Sequence, residues 1–219
     1  MITLYRFAYS CYARKVQAVL DLMKAEYQIR EVPFGDRTEL VTITNGYVQV
    51  PVMVDDNDSV VVDSRAICER LTMDPRGKWL VRNDAAGPIW AYSDWCDSQL
   101  EDVMFRLASP HIRCQFSSAA DRAMFTFIKE RKYGKGCVEE WERNHKQLID
   151  QASQLLDPTR TTLASQGFIF GTRPSLADAA LFGQFAMIET AGKQLPTKFG
   201  PEFTQWLQRL RSWTTTRNA

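Results

Sequence analysis

The chain has 219 residues, 45% of them apolar, and a formal net charge of +1 with its lysines and arginines scattered. That length holds one large or two small packed domains, and the charge lacks the basic footprint of a nucleic-acid binder. No apolar run approaches the roughly 20 residues that cross a bilayer, and the opening Met-Ile-Thr-Leu-Tyr-Arg lacks the apolar stretch of a secretory signal, so no membrane partner and a cytoplasmic location are expected.

In chain order, residues 2–7 read as a strand, and Val16, Val19, Leu20 and Met23 give residues 11–24 a helical period. A second strand is expected over 27–32, a short helix over 36–43, and strands over 50–54 and 59–62. The turn cluster Asp55-Asp56-Asn57-Asp58 makes the last two an antiparallel hairpin. A helix from 64 to 71 completes β-α-β-α-β-β-α. Residues 73–87, with Asp-Pro-Arg-Gly and Asp-Ala-Ala-Gly-Pro, break the periodicity and read as a connection.

Everything beyond it is helical. Ile89, Tyr92, Cys96, Leu100, Val103 and Leu107 form one stripe, and Trp141, His145, Leu148, Ala152 and Leu155 another. Ser175-Leu-Ala-Asp178 matches a capping box, after which Leu181, Phe185 and Ile188 continue the period. Phe199, Phe203, Trp206, Leu210 and Trp213 mark a last amphipathic helix. The fold class is therefore α/β plus all-α, with an α/β domain at 1–75, a linker at 76–87 and a helical bundle at 88–219.

Metal chemistry is not expected. Cys11, Cys68, Cys96, Cys114 and Cys137 contain no C-x-x-C pair, and His111 and His145 are the only histidines. Cys68, Cys96, Cys114 and Cys137 read as packing residues, and His111 as part of a polar connection after Pro110. The run from Lys129 to Lys135 reads as a solvated helix end.

Chemistry gathers in the N-terminal third. Tyr9-Ser-Cys-Tyr-Ala-Arg-Lys-Val16 sets a hydroxyl, Ser10, at a helix N-terminus, where free N–H groups and the macrodipole favour an anion; a plain helix cap is the alternative. Asn45-Gly-Tyr-Val-Gln-Val-Pro51 leads into a strand that opens on a proline. Val-Val-Val-Asp63-Ser64 opens a helix with a carboxylate and a hydroxyl, a pair able to hold an amino-acid head group or simply to cap.

In this order the three segments resemble the glutathione transferases, and Phe168-Ile-Phe-Gly171 with Ser175-Leu-Ala-Asp-Ala-Ala resembles their C-terminal segment. The resemblance touches both ends of the chain; residues 88–165 match in helical character only. It implies a thioredoxin-like N-terminal domain, a helical C-terminal domain and a homodimer. It further implies glutathione as co-substrate and a small hydrophobic electrophile as partner.

By the same resemblance, which is to the serine-type bacterial members, Ser10 activates the glutathione sulfur. Val50, before a cis Pro51, pairs with the cysteinyl backbone, Gln49 serves the glycyl end, and Asp63 and Ser64 hold the γ-glutamyl end. Cys11 replaces the usual proline and is an alternative nucleophile through a mixed disulfide, since a helix N-terminus also lowers a thiol's pKa. Tyr5 or Tyr9 is a further hydroxyl candidate, Tyr5 being the better placed on the strand. Trp90, Tyr92 and Trp95 are candidates for the electrophile site, a subunit contact or core. A rival reading keeps the fold without turnover, as a protein-binding module resembling the stringent starvation protein.

Overall fold

The computed structural model describes residues 1–192 and 194–215, so the last four residues of the expected helical domain lie outside the described residues. The N-terminal part runs β1 (Ile2–Arg6), α1 (Cys11–Leu22), β2 (Tyr27–Glu31), α2 (Thr38–Thr44), β3 (Val52–Val54), β4 (Val60–Val62) and α3 (Ser64–Met73). Its sheet has the order β2-β1-β3-β4, with β1 and β2 parallel and the other pairs antiparallel. This is the expected thioredoxin-like domain.

Period-2 burial along β1 hides Ile2 and Leu4, and α1 covers the sheet with Val16, Val19 and Leu20, all fully buried. The hairpin turn is pinned by Asp55, whose Oδ1 accepts from the Asn57 and Ser59 amides at 2.9 and 3.0 Å. β3 begins at Val52, two residues later than expected, after a cis Val50–Pro51 bond. Proline has no N–H to give the ladder.

The connection after α3 is packed: a 3₁₀ turn at Lys78–Leu80 buries Leu80 completely, and Ala85 is buried as well. The helical part comprises α4 (Ala86–Trp95), α5 (Glu101–Gln115), α6 (Ala119–Tyr133), α7 (Cys137–Arg143), α8 (His145–Ser165), α9 (Leu176–Ala191) and α10 (Pro201–Thr215). A π-helical segment, Cys96–Leu100, joins α4 to α5 without a break. Pro110 and His111 sit inside α5 rather than in a connection. Buried Met104, Leu107, Ala108 and Ile112 hold that helix to its neighbours through the lost N–H. The stripe expected from Trp141 to Leu155 is divided at Asn144, and α8 buries Leu148, Ala152 and Leu156.

α9 is buried on almost every side and packs against α1, α4, α5 and α10 or their connections. Its Gly183 meets α1 backbone to backbone, since a Cβ there would stand 2.3 Å from the Cys11 carbonyl oxygen. The start of α1, and Ser10 with it, is thereby seated on the helical domain.

α9 starts at a buried carboxylate. Asp178 Oδ2 accepts from the Ser175 amide and hydroxyl, both at 2.9 Å, while Oδ1 accepts from the Ile169 amide at 3.1 Å and Trp206 Nε1 at 3.0 Å. The capping box read from the sequence is thus also a tie to α10.

Candidate functional site

A cleft of about 360 Å³ opens between the two domains, with Ser10 and Cys11 at its floor. Ser10 is the N-cap of α1, and its Oγ accepts from the Ala13 amide at 3.3 Å. An oxygen that accepts there still has its own proton to donate. Cys11, one residue on, is only 3% exposed, and burial pushes its thiol well above the ordinary range. Desolvation outweighs the helix N-terminus at that position.

Of the two tyrosine candidates, Tyr9 lines the cleft and Tyr5 does not. Tyr9 stacks on Phe7 with ring centroids 5.2 Å apart and meets Phe116 edge-on at 5.9 Å. Its hydroxyl is buried with no hydrogen-bond partner among the described residues, and burial raises its pKa. The Tyr5 hydroxyl instead faces Glu39 at 3.3 Å, which reverses the sequence-based preference.

Gln49 and Val50 form the edge of the cleft on the sheet side. They are presented by a turn in which Asn45 and Gly46 adopt positive φ, 55° and 115°, and the Tyr47 amide donates to Thr44 Oγ at 2.9 Å. Arg37, which the sequence did not single out, braces this edge. Its guanidinium donates to the Val48 and Phe34 carbonyls at 2.7 and 2.9 Å and lies 4.4 Å from the Phe7 ring centroid.

Asp63 and Ser64 do not line the cavity. The pairing Val52↔Val62 brings them to the same end of the hairpin as Val50 and Pro51. Asp63 has a positive φ of 73° and caps α3, accepting from the Arg65 amide at 2.8 Å, while Ser64 is buried.

The opposite wall is helical and includes Glu101, Phe105, Phe125, Lys129, Lys132 and Tyr133. Lys129 was expected in solvent; it turns inward instead, with Nζ 4.5 and 4.9 Å from the ring centroids of Phe105 and Phe125. Burial pushes its ammonium down to about 8 and the Glu101 carboxyl up to about 7. Only tertiary packing assembles this wall, because its residues come from positions where the sequence shows helical period and nothing more.

The raised Glu101 pKa fixes the sign of a stability effect. Between about pH 4.5 and about 7 the folded state binds more protons at Glu101 than the unfolded chain does, so this residue's contribution falls as pH rises. Glu101→Gln is expected to remove that part of the slope in denaturation curves collected across the interval. An unchanged slope would contradict the assignment.

Beneath the floor, buried Lys15 of α1 pairs with Asp97 of the π segment. The Tyr12 hydroxyl donates to the Asp97 carbonyl at 3.1 Å, and Gln184 Nε2 to the Cys96 carbonyl at 2.9 Å. Both carbonyls belong to the π segment, and side chains from α1 and α9 reach them; the Cys96 carbonyl also accepts from the Glu101 amide.

The three aromatic candidates after the connection lie elsewhere. The Arg65 guanidinium sits 4.0 Å over Trp90, Tyr92 shares a hydrogen bond with Thr159, Trp95 packs on Tyr92, and none of the three lines the cleft. Cys68, Cys96 and Cys137 are buried as expected, whereas Cys114 is exposed. Among the described residues no group of three or more His, Cys, Asp or Glu is arranged to hold a metal ion, and no helix is long and apolar enough to cross a membrane.

Compared by sequence with curated proteins, the chain has no match. Its fold is shared by a Ceriporiopsis subvermispora glutathione S-transferase in complex with glutathione, at TM-score 0.83 and 15% identity over 100% of this chain and 99% of that one. Glutathione transferase GSTFuA3 from Phanerochaete chrysosporium gives 0.81 at 15% identity, covering 100% and 98%. Glutaredoxin 2 from Salmonella typhimurium in complex with glutathione gives 0.73 at 17%, covering 99% and 96%. Family models for the glutathione S-transferase N-terminal and C-terminal domains match residues 4–79 and 137–209. These two matches together span more than half of the sequence, in the order of the two observed domains, and the chain belongs to the glutathione S-transferase family.

Proposed function

We propose that the protein binds glutathione along the Gln49–Pro51 edge and transfers it to a small hydrophobic electrophile held against the helical wall. The observation that carries this reading is that the Ser10 hydroxyl, its proton free, shares one cavity with Val50 and with the aromatic side chains of α5 and α6. Two of the solved structures that share the fold are described as complexes with glutathione.

Glutathione supplies the nucleophilic sulfur. A free thiol with a pKa near 8.5 is about 3% ionised at pH 7. A hydrogen bond to the charged sulfur, worth roughly 1.5–3 kcal/mol, lowers that pKa by about one to two units. Ser10 is the donor in this reading and the start of α1 adds its dipole, as in the serine-type members. Val50 offers backbone groups to an extended peptide in the manner of an added strand. Asp63 holds the γ-glutamyl ammonium, Ser64 its carboxylate, and Gln49 the glycyl end. Cys11 is packing in this reading, because its thiol is desolvated and its backbone is pressed against Gly183.

The protein is expected to act in the cytoplasm as a homodimer. Titration calorimetry with glutathione, under reductant, tests the binding. Ser64→Ala is expected to weaken it by about 1–3 kcal/mol, the scale of a lost charge-assisted bond, and Ser10→Ala to lower conjugation of chlorodinitrobenzene about tenfold or more. No wild-type binding at millimolar glutathione would sink the transferase reading in favour of a non-catalytic protein-binding module.

A further inference from the structure

The helical wall carries more positive charge than its own residues neutralise. Lys129 and Lys132 face the cleft with a single carboxyl, Glu101, so the wall keeps a net charge of +1 even with Glu101 ionised. Among the described residues no carboxylate oxygen lies within 4.0 Å of either ammonium. Asp102 is taken by Arg106, and Arg37 across the cleft, which donates to backbone carbonyls, keeps its own charge and adds to the positive lining.

Lys129 is the more telling of the two. Its ammonium is drawn from water into the angle between the Phe105 and Phe125 rings, which favour a cation through their π faces but do not neutralise it. Lys132 stands exposed beside Tyr133, its Nζ 4.8 Å from that ring centroid, where an incoming anion meets it first. Phe34, Phe105, Phe125 and Ile128 give the same lining an apolar stretch.

We propose that the electrophile is an organic carboxylate, a monoanion with an apolar body, whose charged end is received by Lys129 and Lys132 while its reactive carbon is turned toward Ser10. This rests on the transferase reading for the reaction and deepens it by naming the substrate class. A carboxylate at this wall supplies the counter-charge that Lys129 lacks, and a desolvated ammonium gains most from it because screening there is weak. Glutathione's own charged ends are left to the sheet-side residues.

Equilibrium dialysis of dinitrobenzoate and dinitrobenzene, unreactive stand-ins for a charged and an uncharged electrophile, reads this wall without glutathione. The wild type is expected to bind dinitrobenzoate about tenfold more tightly, the scale of one charge-assisted bond. Lys129→Met with Lys132→Met is expected to bind both compounds alike, whereas the pair of Lys→Arg substitutions keeps the preference. Equal binding of the two compounds by the wild type, or a preference that survives the double Met substitution, would overturn the proposal. Glutathione titration of the same proteins separates the two readings. A wild type that ignores glutathione counts against the transferase assignment alone. A glutathione affinity that falls about tenfold in the double Met variant assigns the lysines to glutathione and overturns the anionic-electrophile proposal.

Discussion

Asp178→Ala is expected to cost about 4 kcal/mol or more of folding stability, a large share of the roughly 5–15 kcal/mol that holds a typical domain together. The residue is 0% exposed and its carboxylate accepts four hydrogen bonds from three other residues, Ser175, Ile169 and Trp206. Removing it strands buried donors, and each stranded donor costs about 1–3 kcal/mol. It also uncaps α9, the helix on which α1 is seated. Burial pushes the Asp178 carboxyl up while the donated bonds oppose that, so the loss in the variant is the loss of those bonds. Urea unfolding followed by tryptophan fluorescence reads the change as a lower midpoint at constant slope. A shift below about 1 kcal/mol would show that water replaces the carboxylate there.

Lys15→Met is expected to cost about 3–5 kcal/mol, since it leaves the Asp97 carboxylate partly buried without its partner. Lys15 is 1% exposed and lies on the face of α1 turned to the π segment, so the ion pair crosses the boundary between the domains. Adding Asp97→Leu should restore most of the loss, because removing both charges also removes the cost of burying them. The Tyr12 and Gln184 bonds to the Asp97 and Cys96 carbonyls remain in both variants. The pair of unfolding curves checks this: a double variant no more stable than Lys15→Met alone would show that the charge pair itself, and not its unpaired remainder, carries the stability.

The order and type of the N-terminal elements were legible from the chain itself, because strand and helix periods differ and Asp55–Ser59 and Asp63 signal their turns locally. Ser10 as a helix cap and the Ser175–Asp178 box were equally local, each a matter of which side chain can reach a nearby backbone N–H. Local rules failed where packing outweighs propensity. Pro110 sits inside a helix because the apolar face on either side of it is buried, and α7 parts from α8 at Asn144 although the apolar period runs through from Trp141 to Leu155. Neither could be decided from spacing, since both depend on what stands opposite.

The helical wall of the cleft is the clearest instance. A lysine among charged neighbours on a helix reads as solvated, and Lys129 carries no local mark that distinguishes it from Lys135. Only when α5 and α6 place Phe105 and Phe125 beside its ammonium does its charge become a property of the site. The choice between Tyr5 and Tyr9 was likewise tertiary, because Glu39 takes one hydroxyl while Phe7 and Phe116 fold the other ring into the cleft. The sequence by itself determined the thioredoxin-like element order and the residues that cap its helices, since those rest on contacts within a few positions of one another. Burial by distant segments decided which of its charged and aromatic side chains face one another across the cleft, because the water that screens a group is excluded only by residues far away in the chain.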